Sequence, residues 1–331
     1  MKGADMKTIP TRYPKNLRLS MFNGAEVSPL LPYDKPPAKA RLTGQGMVRT
    51  FSFSGAQDKY SLVLDSEKGV LRYREDHEQG DYILKPCPTD AYMPHRLDAP
   101  ANEALCMDIV RKVFRQPAAE STLCYFGNGE AAYLTKRFDR AAGGENLHME
   151  DFAAVIGMQS ASGTGGQKYR YSYEEIADAI RRVSTAGKAD MLRFFRMVVI
   201  NYLLCNGDAH LKNFALLGQT EGSMLLSPAY DVMNTRLHVQ DTDFAMEKGL
   251  FADARPVAND DMATYFLDWA ECIGVPQKTA LVFLLSAVGK LGRIEEMTAK
   301  SDLSRKAQKA FLLTIRTRFK KLAEGLRKRK I

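Results

Sequence analysis

The spacing of the apolar residues changes once along this chain, and that change limits the folds open to it. From about residue 47 to Asp139 apolar positions come in short, strand-like runs: MVRTFSF (47–53), KYSLVLD (59–65), LRYR (71–74), DYILKP (81–86), STLCYFG (121–127) and AAYLTKRFD (131–139), the last two a hairpin over NGE. One segment, APANEALCMDIVRKVF (99–114), breaks the pattern as an amphipathic helix with Leu105, Ile109, Val110 and Val113 at helical spacing. After Asp139 the texture is helical, with helices predicted in HMEDFAAVIGM, YEEIADAIRRV, ADMLRFFRMVVINYLL, NDDMATYFLDWAECIG, PQKTALVFLLSAVGKL and 302–326. A mainly β half with one helix therefore precedes a mainly α half, an α+β chain divided into 1–46, 47–139 and 140–331. Residues 1–46 are expected to be irregular. Six of the fourteen prolines lie in the first 37 positions, and LPYDKPPAK fits neither a helix nor a central strand.

Composition excludes several classes. No apolar run reaches the ~18 residues that span a bilayer, and MKGADMKTIP carries no apolar signal region, so a cytoplasmic protein without a membrane role is expected. The cysteines at 87, 106, 124, 205 and 272 form no C-x-x-C pair, and small buried thiols are expected rather than zinc or disulfides. The net charge of +8 is concentrated: RTRFKKLAEGLRKRKI (316–331) holds eight Lys/Arg and one Glu, which is +7. That tail reads as a solvated helix with a basic end rather than as a nucleic-acid face. GTGGQK (163–168) lacks the G-x-x-x-x-G-K-[ST] spacing and a strand leading into it, and reads as a flexible surface loop.

The chemistry gathers in CNGDAHLKNF (205–214), directly after the apolar MLRFFRMVVINYLL. Asp208 and Asn213 stand five apart, and Asp231 follows in SPAYDV after the short strand SMLLS. Magnesium-dependent phosphoryl transfer needs these groups. One carboxylate orients the acceptor hydroxyl, while a carboxamide and a second carboxylate give hard oxygen ligands to Mg²⁺ on the nucleotide phosphates. Upstream, Lys85 stands in a strand where it can meet phosphates, Glu103 eighteen residues on can pair with it, and SFSGAQDK (52–59) forms a hairpin able to cover phosphates with backbone N–H groups. Each member also has an ordinary reading: a solvated Lys85, a helix-face Glu103, a capping Asp208, a turn-forming Asp231. The ordered set is much rarer than any member. The five histidines form neither H-E-x-x-H nor H-x-H, so a zinc hydrolase is not supported.

NGDAHLKNF, SPAYDV, KRFDR and SFSGAQDKYSL together resemble the HipA-like serine/threonine kinases, toxins of bacterial toxin–antitoxin systems, over about 50–325. The resemblance implies a bilobal protein-kinase-like fold with a β-rich N-lobe and a helical C-lobe. It implies Asp208 as catalytic base, and Asn213 and Asp231 as Mg²⁺ ligands. ATP would be held by Ser54, Gly55, Ala56, Gln57, Asp58, Lys59, Lys85, the hinge residues Lys136, Arg137 and Phe138, then His210, Leu211, Lys212, Asn213, Tyr230 and Asp231. Ser52 matches the family's autophosphorylated serine, and Ser54 repeats it on the same strand face. The residues before the Gly-turn are too few for the N-terminal subdomain of full-length HipA, which is similar to the short HipT-type kinases. Their missing piece is a separate small HipS-like protein.

The resemblance further implies an aminoacyl-tRNA synthetase as target, a helix-turn-helix HipB-like antitoxin, and DNA contact only through that antitoxin. Two other functions share these residues: a degenerate kinase-fold scaffold in an antitoxin–DNA complex, and a small-molecule kinase.

Overall fold

In the computed structural model, the described residues are 9–34, 57–141, 144–157, 166–218, 222–258 and 261–329. A curled antiparallel sheet organises the first half: β1 (Tyr60–Asp65), β2 (Val70–Tyr73), β3 (Tyr82–Pro86), β4 (Ser121–Tyr125) and β5 (Ala131–Lys136), in the order β2-β1-β3-β5-β4. Alternation along the strands separates two faces. Leu62, Leu84, Ala132 and Leu134 pack on one face against Tyr13, Met21, Phe22, Val27 and Leu31. Lys85 pairs in register with Tyr133 on the other face.

The covering layer on that first face corrects the expected irregular N-terminus in part. Lys15–Phe22 form a helix, α1. Pro14 stands at its N-cap, where a missing N–H is harmless. Asn23 ends it in left-handed backbone, φ 52°. The prolines bound this helix rather than forbid it. The expected strand at 47–53 and most of the turn after it lie outside the described residues.

On the opposite face lies α2 (Ala99–Asp108), continuing as π-helical turns Ile109–Val113. The expected helix is present, and it is buried on more than its apolar stripe. Nearly every residue from Ala99 to Met107 is buried, Asn102 and Glu103 included. The polar positions that suggested a wet face point instead into a polar interior.

Past Asp139, Met149–Asp151 is a strand, β6, followed only by the short helix α3 (Phe152–Val155), so the helix expected in HMEDFAAVIGM is mostly absent. β6 pairs with β7 (Ala215–Leu217), which pairs with β8 (Leu225–Leu226). The remaining helices follow the apolar spacing: α4 (Tyr173–Val183), α5 (Lys188–Leu203), α6 (Met262–Cys272), α7 (Gln277–Val288), α8 (Leu291–Ala299) and α9 (Arg305–Lys328). A Ser172/Glu175 capping box starts α4. α8 was not expected from the sequence. The helices close around one core centred on Trp269, Phe194, Phe195 and Tyr173.

α9 is less solvated than its composition suggests. Arg318 is buried, ion-paired with Asp243, and its guanidinium lies 4.6 Å from the centre of the Tyr202 ring. The cysteines are free; Cys87, Cys106, Cys124 and Cys205 are buried, whereas Cys272 is exposed, against expectation.

Candidate active site

Between the sheet and the helices lies a cavity of about 360 Å³, bordered by Lys59, Lys85, Glu103, Phe138, His210, Lys212, Asn213, Tyr230 and Asp231. Lys85 is fixed at its inner end. Its ammonium donates to Oε1 of Glu103 at 2.6 Å and to Oδ1 of Asp231 at 2.5 Å, and Lys59 reaches Oδ2 of Asp231 at 3.4 Å. Strand β3, helix α2 and the loop after β8 each contribute one charge to this triad.

Burial would lower the pKa of Lys85, but the carboxylates of Asp231 and Glu103 outweigh it and hold the ammonium charged. Burial likewise opposes ionisation of Asp231, but Lys59 and Lys85 keep its carboxyl well below the usual range. For Glu103, burial prevails over the pull of Lys85 and pushes the carboxyl up to about 7. Asp231 sits in left-handed backbone, φ 58°, a conformation sparsely populated outside glycine and common at functional sites.

The loop carrying Asp208 is built by its own polar groups. Asn206 is held by Asn201 at 2.9 Å, and its Oδ1 accepts the Asp208 N–H at 3.3 Å. Gly207 donates to Oγ1 of Thr235 at 2.9 Å and lies so close to Asp241 that a Cβ would fall 2.2 Å from that carboxyl group. Any larger residue there would have to displace the Asp241 carboxyl group. The residues Leu211–Asn213 form a short 3₁₀ turn, with Nδ1 of His210 accepting the Lys212 N–H. Burial, reinforced by Lys168, keeps His210 neutral.

The expected residues do not all reach the cavity by their functional atoms. Lys136 borders it, but its ammonium turns to α1, bonding Asn23 Oδ1 at 2.9 Å and the Ser20 carbonyl at 3.3 Å. Arg137 pairs with Asp139. Gln57 donates to the Pro86 carbonyl at 2.8 Å, and Asp58 accepts from Tyr60 at 3.5 Å. Leu211 is wholly buried in the core behind the loop. Phe138 and Tyr230 place their rings 5.4 Å apart. Ser52, Ser54, Gly55 and Ala56 lie outside the described residues.

Two residues at the site carried no usable sequence signal. Lys168, from the segment expected to be a surface loop, borders the cavity with Nζ 2.5 Å from Nε2 of His210. Tyr169 donates to Oδ1 of Asp208 at 2.5 Å.

Among the described residues no three His, Cys, Asp or Glu side chains converge as a metal site. Mg²⁺ does not require one, since phosphates and water complete its octahedron around one or two protein oxygens. The donors present suit it. Asp231 supplies an ionised carboxylate, and Oδ1 of Asn213 is a buried carbonyl oxygen with no hydrogen-bond partner among the described residues.

The sequence model of the HipA-like C-terminal domain matches residues 51–287. The chain belongs to that family. This HipA-like chain is 29% identical over 195 residues to a Haemophilus influenzae protein named "Putative kinase", covering 57% of itself and 53% of that protein. It is 30% identical over 226 residues to "Putative kinase Y4dM" of Sinorhizobium fredii, covering 64% and 52%. It thus spans about half the length of the curated relatives it matches.

Among solved structures, a chain of the Shewanella oneidensis MR-1 HipA–HipB–operator DNA complex matches with a TM-score of 0.61 at 19% identity, over 99% of this chain and 74% of that one. The Helicobacter pylori proinflammatory kinase CtkA matches with a TM-score of 0.50 at 15% identity, over 90% and 98%. The α+β, bilobal kinase-like architecture expected from the sequence is therefore the fold of this chain. No helix among the described residues is long and apolar enough to cross a membrane.

Proposed function

We propose that this HipA-like chain is an ATP- and Mg²⁺-dependent protein serine/threonine kinase. The observation that carries this reading is Lys85, held between Glu103 and Asp231 at the inner end of a cavity that Asn213 also borders. A fixed ammonium there suits phosphate oxygens. With phosphates at Lys85, Asp231 and Asn213 are the residues that would hold Mg²⁺. The ion when bound supplies neutralisation of phosphate charge. Phe138 and Tyr230 provide apolar surface for the adenine.

Asp208 borders a second cavity of about 740 Å³, on the side from which an acceptor protein would approach. The acceptor hydroxyl oxygen bonds to the γ-phosphorus as the bond from that phosphorus to the β–γ bridging oxygen breaks. The hydroxyl proton passes to Asp208, and ADP leaves.

Family membership, and the presence of HipB and operator DNA in the complex of the similar Shewanella protein, support a toxin–antitoxin role. Within it we place the chain nearest the HipT type. Its partners would be a HipB-like helix-turn-helix protein and a small HipS-like protein, and its target an aminoacyl-tRNA synthetase. Ser52 and Ser54 would be the autophosphorylated residues.

Thermal-shift titration with ATP, with and without Mg²⁺, tests the core of the proposal alongside a phosphoryl-transfer assay. Asp208→Ala should bind ATP like wild type and lose transfer by roughly a hundredfold or more. Asp231→Asn should lose the Mg²⁺-dependent part of ATP binding. Wild-type activity in folded Asp208→Ala would overturn Asp208 as the base, and a wild type that binds no ATP and transfers no phosphate would leave the scaffold reading standing instead.

A further inference from the structure

Tyr169 belongs to no motif that the kinase reading uses, yet its phenol donates to Oδ1 of Asp208 at 2.5 Å. The contact is braced from several directions. The carbonyl of Tyr169 accepts the Glu247 N–H at 2.7 Å, and that of Tyr171 accepts the Lys248 N–H at 3.4 Å, so the turn Gln167–Tyr169 is tied to the segment after Asp243. The ring meets His210 edge-on, centroids 5.2 Å apart and planes at 71°. Lys168 Nζ lies 5.0 Å from the centre of the same ring and 2.5 Å from Nε2 of His210. The turn stands between the two cavities: Lys168 borders the smaller, Tyr169 and Asp208 the larger.

A carboxylate on one methylene has two free torsions. A charge-assisted hydrogen bond from a ring flanked by His210 and Lys168 removes much of that freedom. We propose that Tyr169 is a positioning residue for phosphoryl transfer, its hydroxyl fixing the Asp208 carboxylate in the orientation that meets the acceptor hydroxyl where the two cavities adjoin. The inference rests on the kinase reading. Tyr169 takes no proton in the reaction; the acceptor's proton goes to Asp208, and the phenol keeps its own.

The test compares wild type, Tyr169→Phe and Tyr169→Leu in phosphoryl transfer and in direct ATP·Mg²⁺ binding. Loss of the hydroxyl alone should lower kcat roughly tenfold or more, with the Kd for nucleotide unchanged. The leucine variant should be no better than the phenylalanine one. A purely structural ring would be satisfied by phenylalanine, so a Tyr169→Phe protein with wild-type kcat overturns the proposal. A double-mutant cycle in urea adds a readout independent of turnover. Tyr169→Phe should shift the unfolding midpoint in the wild-type background and not in Asp208→Ala; additive shifts overturn the direct coupling. A wild-type chain that binds nucleotide but transfers no phosphate overturns the kinase reading and this one with it. An active wild type with an equally active Tyr169→Phe overturns this one alone.

Discussion

Lys85 is a single ammonium answering two carboxylates in an interior nearly closed to water. Removing it leaves Glu103 and Asp231 without their shared cation, and losing one partner of a buried ionic group costs about 3–5 kcal/mol. Lys85→Met should therefore be destabilised by about that amount in urea unfolding, besides losing nucleotide binding. The loss should be larger at pH 8 than at pH 5. Burial already raises the Glu103 carboxyl to about 7, above its ordinary value of 4.5. Without Lys85 it rises further, and an acid that folds protonated but unfolds ionised makes folding less favourable as pH climbs between the two values. Equal losses at both pH values would show that Glu103 does not sense Lys85.

At this scale the grouping of the candidate residues was largely legible. Lys85, Glu103, Asn213 and Asp231 border one cavity, and Asp208 opens onto another, because their spacing along the chain set them on elements that meet there. Lys168 and Tyr169 were not legible. They follow a glycine-rich stretch whose composition says only that it can bend, and it is tertiary packing that brings these two side chains to the site. Lys136 erred the other way: its position beside the cavity was legible, but its ammonium is claimed by α1, a helix hidden among prolines.

Among elements, α2 departs most from its sequence pattern, and the reason lies in a buried clamp beside Glu103. Asn102 donates to the Asn234 carbonyl at 2.8 Å and contacts Nε2 of His238 at 2.9 Å, while Asn234 N–H returns a bond to Asn102 Oδ1 at 3.2 Å. Nδ1 of His238 lies 3.0 Å from the Pro94 carbonyl and must donate there, so Nε2 of the neutral ring accepts from Asn102. A polar residue on a helix face cannot announce from sequence whether water or such a network awaits it, so the burial of Asn102 was not legible. The strand at Met149–Asp151 was missed for a related cause: its register partner, Leu217, lies far along the chain.

Burial lowers the His238 pKa from 6.5 to about 4. A histidine that must stay neutral in the fold stabilises fully above the unfolded value of 6.5, and that contribution is lost as pH falls toward 4. Between those limits wild type should lose stability more steeply than His238→Gln, by a slope of up to one proton. Parallel pH profiles would place the ring outside the clamp's energetics.

Across the whole molecule, α9 ties the helical half together and carries most of the net charge. Several of its cations are already occupied. Arg318 is buried against Asp243, Arg316 pairs with Glu295 at 2.7 Å, and Lys320 lies 3.8 Å from Glu324 on the same helix. The chain alone should therefore bind DNA weakly at physiological salt, with a shallow dependence of affinity on salt concentration. Tight, sequence-selective binding by the isolated chain in a filter or mobility-shift assay would reverse that view and make α9 a direct DNA-reading element.

The enclosure of α2 has a consequence for switching. Kinase folds that switch by swinging the glutamate-bearing helix need somewhere for it to swing. Here it is walled in by the sheet on one side and pinned by Asn102 on the other. On the kinase reading proposed above, α2 is a fixed wall of the cleft, and any switch would have to work through another element or through a partner lying across its mouth.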